Sequence, residues 1–233
     1  MLFKIAIFYV GCLLGSFFYC IAGLWTRGQF SLFARSSCDS CQRVLRWYEL
    51  FPLVSFLFQK GKCRQCQHAL SSAYWLSECL TGCLMLHAYL LHDHFSLQQW
   101  VTCLILLLMS FCDLCERWVP DALQLCLLTW LLIQFNWQEQ EVILLAFSFI
   151  LFSCFTLFFY LSRQDWIGGA DIKLLLILQL AIPVVQFPLF LLIASSLGLL
   201  FWYGGLGWFD FRVRGLPFVP FIAFSFYIVS VYF

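Results

Sequence analysis

Eight stretches of the sequence are apolar and close to the length, about 20 residues, that a helix needs to cross the hydrocarbon core of a membrane. They lie at 2–24, 73–91, 95–112, 119–135, 141–161, 172–187, 188–207 and 217–233. Only 11% of the 233 residues are charged, whereas a water-soluble domain has about 25%. Because so few charged side chains leave a soluble particle without enough polar surface, the sequence predicts an all-α polytopic membrane protein with about eight transmembrane helices.

Basic residues are concentrated in every second connection between the apolar stretches. These connections are 25–72, 113–118, 162–171 and 208–216, and with their edges they hold all of the 13 lysines and arginines except Lys4. Because basic residues accumulate on the cytoplasmic side, we predict that these connections are cytoplasmic and that both termini are external. A basic loop beside a membrane favours anionic lipid headgroups. No reader motif for nucleic acid accompanies it, so nucleic acid is not a predicted partner.

The connection 25–72 is the one sizeable segment outside the apolar stretches. We therefore predict three parts: a first transmembrane helix at 1–24, a cytoplasmic loop domain at 25–72, and a multi-helix membrane domain at 73–233. A loop domain of this size is too short to bury a large core. It therefore needs an additional cross-link, such as a disulfide or a structural metal, to be stable.

Four cysteines of this loop form two Cys-x-x-Cys pairs, Cys38 with Cys41 and Cys63 with Cys66. The pairs resemble those of a four-thiolate zinc ribbon, in which tetrahedral ligands close the metal site. Neighbouring basic residues favour the thiolate form, and a cytoplasmic location disfavours disulfides. We therefore predict a zinc-ribbon-like domain with a structural Zn2+. Redox cysteines and plain reduced thiols are the alternatives.

Residues 166–173 read Trp-Ile-Gly-Gly-Ala-Asp-Ile-Lys and place a carboxylate directly after two glycines, at the mouth of an apolar run. Burying Asp171 unpaired is costly, so a charged residue at such a place indicates function. Gly168 and Gly169 let a backbone pass close to a substrate strand. The alternative is a loop aspartate that caps the next helix.

A second aspartate, Asp113, stands where the third apolar stretch ends, and the predicted topology puts it on the same face as Asp171. Two carboxylates in one site share a proton over a useful pH range. The ionised one then activates water while its protonated partner polarises a peptide carbonyl. The alternative is two helix-end aspartates that never meet. We interpret nearby Asp121 as structural, at the first turn of the next helix.

Short motifs follow one another in a fixed order along most of the chain. They are Gly15-Ser16-Phe17, Cys38-x-x-Cys41, Leu45-x-Trp47-Tyr48-Glu49-Leu50-x-Pro52-Leu53-x-Ser55, Gly61-x-Cys63-Arg64-x-Cys66, Glu78, Asp113, Val119-Pro120-Asp121, Gly168-Gly169-Ala170-Asp171-Ile172-Lys173-Leu174 and Pro217-Phe218-Val219-Pro220-Phe221. In these motifs the chain resembles the bacterial type IV prepilin peptidases, membrane aspartic proteases of the Gly-x-Gly-Asp kind.

The resemblance implies an aspartic endopeptidase with Asp113 and Asp171 as catalytic pair and an active-site loop of Gly168, Gly169, Ala170 and Lys173. The implied substrates are prepilins and pseudopilins, with a short hydrophilic leader ending in Gly before an apolar helix. Cleavage would occur at the cytoplasmic face of the bacterial inner membrane, in type IV pilus, secretion and competence systems. Ala170 replaces a glycine and tightens the approach of a substrate backbone.

Many members also methylate the new amino terminus with S-adenosylmethionine, a task linked to the cytoplasmic loop. Glu49 and Glu78 are candidates for methyl transfer, and a structural carboxylate is the alternative for each. After Gly15-Ser16-Phe17-Phe18 the family pattern has Asn and then a basic residue before Pro. Tyr19, Leu24 and Thr26 stand at those positions instead. These departures count against the implied methyltransferase activity and not against the implied peptidase activity.

Two other function classes compete with the peptidase. A membrane thiol oxidoreductase would use the Cys-x-x-Cys pairs, but it needs them on the oxidising face, whereas the charge bias places them inside. A non-catalytic assembly or transport protein would use the carboxylates to relay protons or to hold structure. The four histidines are too dispersed to indicate a metal site.

Overall fold

The structure, a computed structural model, describes residues 1–28, 36–38, 40–91, 96–135, 142–161, 168–203 and 216–232. The helices are α1 (Leu2–Thr26), α2 (Val54–Phe58), α3 (Ser72–Leu90), α4 (Leu97–Glu116), α5 (Asp121–Gln134), α6 (Val142–Leu161), α7 (Gly169–Leu178), α8 (Phe187–Tyr203) and α9 (Val219–Tyr232). A 3-10 turn covers Trp47–Glu49. Those ranges contain two isolated antiparallel bridges but no strand. The predicted all-α class is therefore confirmed for the described part of the chain.

Some residues on which the sequence predictions drew lie outside the described ranges. They are Arg35, His92, His94, Arg163, Trp166, Ile167, Arg212 and Arg214.

Two helices, α1 and α4, are long and apolar enough to cross a membrane by length and composition. Three further helices, α5, α8 and α9, are apolar but shorter. Large apolar side chains point outward on α1, among them Val10, Leu13 and Phe17. Because a water-soluble protein rarely exposes contiguous apolar surface, this outward face fits contact with lipid.

Helix α7 differs most from its predicted span. The apolar stretch 172–187 predicts one crossing, but α7 begins earlier and has only 10 residues. A helix of that length is about 15 Å long, half the thickness of the hydrocarbon core. The chain then turns at Pro183, which cannot continue a helix, and Pro188 lies in the first turn of α8, where proline is tolerated. The early start puts Asp171 inside the first turn of α7.

The chain forms two compact units, Met1–Asp93 and His94–Phe233. In the first unit, α1 packs along α3 through small residues. A Cβ on Gly11 would lie 2.8 Å from the Cα of Gly82, and a Cβ on Gly82 would lie 2.6 Å from the Sγ of Cys12. Because no real side chain comes so close, glycine is what allows these two helices to approach.

In the second unit, α4 packs against α5 and α9, α5 packs against α7, and α8 packs against α9. The largest fully buried side chains that the structure describes in this unit are apolar, apart from Gln179. They include Leu106, Met109, Leu127, Leu131, Leu174, Leu178, Phe190, Ile222 and Phe226. Helix α4 begins at a capping box in which Ser96 and Gln99 satisfy each other's backbone N–H groups. It ends at Arg117, which has a left-handed backbone (φ 55°). These boundaries leave Asp113 in the last turn of α4.

Candidate functional site

Asp113 lies in α4 and is hydrogen-bonded to α9, a helix that is distant in sequence. It is buried, with 7% of its surface exposed, and its Oδ2 accepts a 3.1 Å hydrogen bond from the backbone N–H of Val219. Val219 is the first residue of α9. The first N–H groups of a helix have no acceptor within the helix, so this one is available to a side chain. The positive end of α9 also favours a negative charge at this place.

Asp171 folds back over the residue that precedes its helix. That residue, Gly168, has an extended backbone (φ −63°, ψ 136°). A Cβ on Gly168 would lie 2.9 Å from the Oδ2 of Asp171, so the carboxylate occupies the space that a side chain at position 168 would need. The Gly168 backbone N–H interacts with the same carboxylate, as the third helical residue does in a capping box. The local conformation of Asp171 therefore requires glycine at position 168.

The two predicted aspartates lie within range of each other's charge. The negative charges of Asp113 and Asp171 act on each other, and both residues belong to the unit His94–Phe233. Asp113 is buried and Asp171 is half-buried, so little water screens the repulsion between them. The repulsion makes it costly for both carboxylates to be ionised at the same time.

The other residues of the predicted active-site loop have separate surroundings. A Cβ on Gly169 would meet no described atom within 4 Å, so the backbone there is open to the approach of another chain. The carbonyl oxygen of Ala170 accepts a 3.1 Å hydrogen bond from the Nε2 of Gln124. The Nζ of Lys173 lies 2.9 Å from the Oδ1 of Asp121, in an exposed ion pair with α5.

Gln124 was not among the residues predicted from the sequence, although it contacts this loop. It is 4% exposed and lies on the face of α5 that also buries Leu127 and Leu131. The one sign in the sequence is a polar residue at helical spacing within an apolar face. Its contact with Ala170 depends on the packing of α5 against α7, which no local pattern encodes.

The four loop cysteines meet in one cluster. Their Sγ atoms all lie within 4.8 Å of one another. The Sγ atoms of Cys38 and Cys66 are 3.8 Å apart, and those of Cys41 and Cys63 are 4.0 Å apart. A tetrahedral zinc site with Zn–S bonds of about 2.3 Å has S–S edges of about 3.8 Å. The cluster therefore fits a metal ion of the zinc type, and its sulfurs are too far apart for a disulfide.

The two Cys-x-x-Cys pairs have the same backbone conformation. In each, the backbone N–H of the first cysteine donates to the carbonyl oxygen five residues later. The backbone N–H four residues after that cysteine donates to the cysteine's own carbonyl oxygen. The donor–acceptor pairs are Cys38–Arg43, Gln42–Cys38, Cys63–His68 and Gln67–Cys63, at 2.9–3.0 Å. Backbone N–H groups of Cys66 and Gln65 lower the pKa of the Cys63 thiol to about 6. This favours the thiolate that a metal requires.

Glu49 stabilises the cysteine loop through two hydrogen bonds. Its Oε1 accepts a 2.7 Å bond from the Nη2 of Arg43, and its Oε2 accepts a 2.8 Å bond from the backbone N–H of Arg46. Burial by itself would raise the pKa of Glu49, but the Arg46 N–H and the Arg43 guanidinium outweigh it and hold the pKa below its ordinary value. Both carboxylate oxygens thus have partners, which fits the structural alternative.

Glu78, on α3, holds a tight turn of the same unit. Its Oε2 accepts a 2.7 Å hydrogen bond from the backbone N–H of Leu53. Leu53 has φ 61° and ψ −50°, and the N–H of Val54 donates to the carbonyl of Pro52 at 2.6 Å. This is the geometry of a γ-turn with positive φ, which is rare and strained. Glu78 therefore stabilises a backbone that a leucine adopts reluctantly.

Two family models match the chain. The one described as Bacterial Peptidase A24 N-terminal domain matches residues 9–92, and the one described as Type IV leader peptidase family matches residues 100–203. The first therefore covers the cysteine cluster and both glutamates, and the second covers both aspartates. No solved structure matches the chain.

Several curated proteins are similar to the chain, and three carry the name prepilin leader peptidase/N-methyltransferase. The Aeromonas salmonicida (strain A449) protein is 32% identical over 81% of this chain and 68% of its own length. The Dichelobacter nodosus protein is 32% identical over 84% of this chain and 71% of its own length. The Bacillus subtilis (strain 168) protein is 48% identical over 34% of this chain and 32% of its own length.

Proposed function

Because this chain belongs to the prepilin leader peptidase/N-methyltransferase family, we propose that Asp113 and Asp171 are its catalytic pair and cleave the leader from prepilins and pseudopilins. Family membership confirms the prediction of a membrane-bound enzyme of the prepilin peptidase type. The single observation that supports the aspartic assignment is that two carboxylates of low exposure, in one unit of the fold, lie within range of each other's charge.

In the proposed reaction the two carboxylates divide the work of acid and base. The ionised carboxylate takes a proton from a water molecule, whose oxygen then bonds to the carbonyl carbon of the scissile peptide. The protonated partner donates a hydrogen bond to the carbonyl oxygen while negative charge develops there. The C–N bond then breaks, and a proton passes from the pair to the leaving amine.

The open space at Gly169 supports the approach of an extended peptide. No described atom would contact a side chain at that position, so a substrate backbone can lie against the turn that carries Asp171. A precursor whose leader ends in glycine presents little side-chain bulk at the bond to be cleaved. Its following apolar helix would remain in the lipid.

The proposal also includes the orientation of the chain in the membrane and its division into three parts. The apolar helices α1 and α3–α9 lie in the bacterial inner membrane in the order that the eight apolar stretches predict. The predicted division into 1–24, 25–72 and 73–233 is retained. The catalytic pair and the cysteine loop face the cytoplasm, which is supported by the distribution of lysine and arginine.

The cysteine cluster supports a structural zinc site. Cys38, Cys41, Cys63 and Cys66 would supply all four ligands, so the metal would close the loop and leave no position for a substrate. Metal analysis of the purified protein should give one zinc per chain, and Cys63→Ser should lose it. A protein that binds no zinc in either form would contradict this assignment.

Methylation of the new amino terminus stays a prediction. The names of the relatives include N-methyltransferase, but Tyr19, Leu24 and Thr26 depart from the family pattern. Both oxygens of Glu49 accept hydrogen bonds from its own loop, which supports the structural alternative for this residue.

The peptidase assignment is tested by Asp113→Asn and Asp171→Asn. Each variant should lower the cleavage rate of a purified precursor pilin by at least about 10⁴-fold, since members of one catalytic unit fail together. Cleavage is measured by the shift of the precursor on a gel. Glu116→Gln, which changes an exposed carboxylate in the last turn of α4, is the matched control and should cleave normally. Normal cleavage by either catalytic variant, inserted and folded, would end the assignment.

A further inference from the structure

Gln124 connects α5 to the loop that carries Asp171. Its Nε2 donates a 3.1 Å hydrogen bond to the carbonyl oxygen of Ala170, the residue immediately before Asp171. The side chain is 4% exposed. Its Oε1 is buried and has no hydrogen-bond partner among the residues that the structure describes. The N–H donor of the amide is therefore hydrogen-bonded, whereas its oxygen acceptor has no partner among the described residues.

Fold stability does not explain a glutamine at this position. Leu127 and Leu131 lie on the same buried face of α5, and an apolar residue would continue that face without an unsatisfied atom. A buried oxygen without a partner lowers stability by at least as much as one neutral hydrogen bond adds. An amide kept under these conditions indicates a role other than holding the helices together.

The place where the amide acts is the first turn of α7. A carbonyl oxygen has two lone pairs, so Ala170 can accept from Gln124 without giving up a bond inside the helix. A second polar link from α5 to the start of α7 is the ion pair of Asp121 with Lys173, which is exposed and therefore weak. The buried bond from Gln124 is the firmer of these two links, and it ends on the residue next to Asp171.

We propose that Gln124 is a positioning residue of the peptidase. Its amide holds Ala170 so that the carboxylate of Asp171 meets Asp113 in the geometry that the reaction needs. This inference rests on the proposed function, because it assumes that the two aspartates perform the cleavage. Gln124 acts through the backbone of Ala170 and not on the precursor, so its loss changes turnover and leaves substrate binding unchanged.

The test is Gln124→Met, which keeps nearly the same length but removes the N–H donor. The full-length protein is purified in detergent and assayed with a purified precursor pilin. We expect kcat to fall by about 10- to 100-fold, the effect of a small misplacement of a reacting group. KM should stay unchanged, and Tm should equal or exceed that of the wild type. Gln134→Met, on an exposed position of the same helix, is the control and should match the wild type in all three quantities.

Each other outcome contradicts the inference. A wild-type kcat shows that the amide does not position Asp171. A lower Tm or an unfolded protein shows that Gln124 serves stability, and a higher KM shows that it binds the precursor. Asp113→Asn and Asp171→Asn in the same assay separate the two proposals. If both are inactive while Gln124→Met is normal, only the role of Gln124 is lost; if either cleaves normally, the proposed function is lost.

Discussion

The two units of the chain hold their buried carboxylates in opposite ways. In Met1–Asp93, both oxygens of Glu49 accept hydrogen bonds, and Glu78 accepts one from a strained turn. In His94–Phe233, Asp113 accepts one hydrogen bond from a backbone N–H, and its charge acts on the like charge of Asp171. Carboxylates with satisfied oxygens stabilise a fold, whereas two that repel each other destabilise it. Such a pair indicates chemistry.

Removal of the metal should have the largest effect of the changes considered, and it should destabilise one unit but not the other. Structural zinc supplies on the order of 10 kcal/mol of folding free energy in small domains, so a chelator should open the cysteine loop. Hydrogen exchange should rise across 40–72 and stay unchanged in α4 and α9, where the described residues include no four-cysteine cluster. Equal exchange in both regions after chelation, or no change in either, would remove the contrast between the units.

The two glycines before Asp171 should give different kinetics. In Gly168→Ala the new Cβ displaces the Asp171 carboxylate, so we expect kcat to fall by about 100-fold. Gly169→Ala adds a methyl group in open space, where the precursor is proposed to lie, so KM should rise while kcat is retained. Steady-state cleavage of a precursor pilin measures both. If the two variants behave alike, position 168 has no special relation to Asp171.

The hydrogen bond from Val219 to Asp113 can be removed without removing α9. Proline is tolerated at the first residue of a helix, so Val219→Pro deletes the N–H and keeps the helix. A hydrogen bond to a charged group contributes about 1.5–3 kcal/mol, so kcat should fall by about 10- to 100-fold.

Val219→Ala is the matched control for this change. It keeps the N–H but leaves a gap at a buried position, so it should lower Tm and spare kcat. A normal rate in the proline variant would show that this bond does not orient Asp113.

Glu49 should show the smallest effect, and it should appear in stability. Because its pKa in the fold lies below the ordinary value of 4.5, the ionised form stabilises the loop above that pH. The stabilisation is lost as the pH falls through the lowered pKa. Glu49→Gln should therefore lower Tm by a few degrees at pH 7, and the difference from wild type should shrink in acid. A constant difference from pH 7 to pH 3 would contradict the charge-based contribution.

The helical class and the cysteine cluster were both predictable from the sequence. A bilayer leaves no water for backbone groups, so long apolar runs must form helices, and the described residues agree. The spacing of Cys38, Cys41, Cys63 and Cys66 likewise indicated one site, because each knuckle is a local structure of a few residues. The sequence did not indicate where α7 ends, since its apolar run continues toward Pro183 without a local signal.

Periodicity and spacing in the sequence specified which segments are helical and which residues carry charge, because those properties depend on near neighbours along the chain. The partners of the candidate site came from packing. Val219 and Asp113 are 106 residues apart, and Gln124 and Ala170 are 46 residues apart. Neither pair has a local signature, because each contact exists only after whole helices have buried their apolar faces against one another.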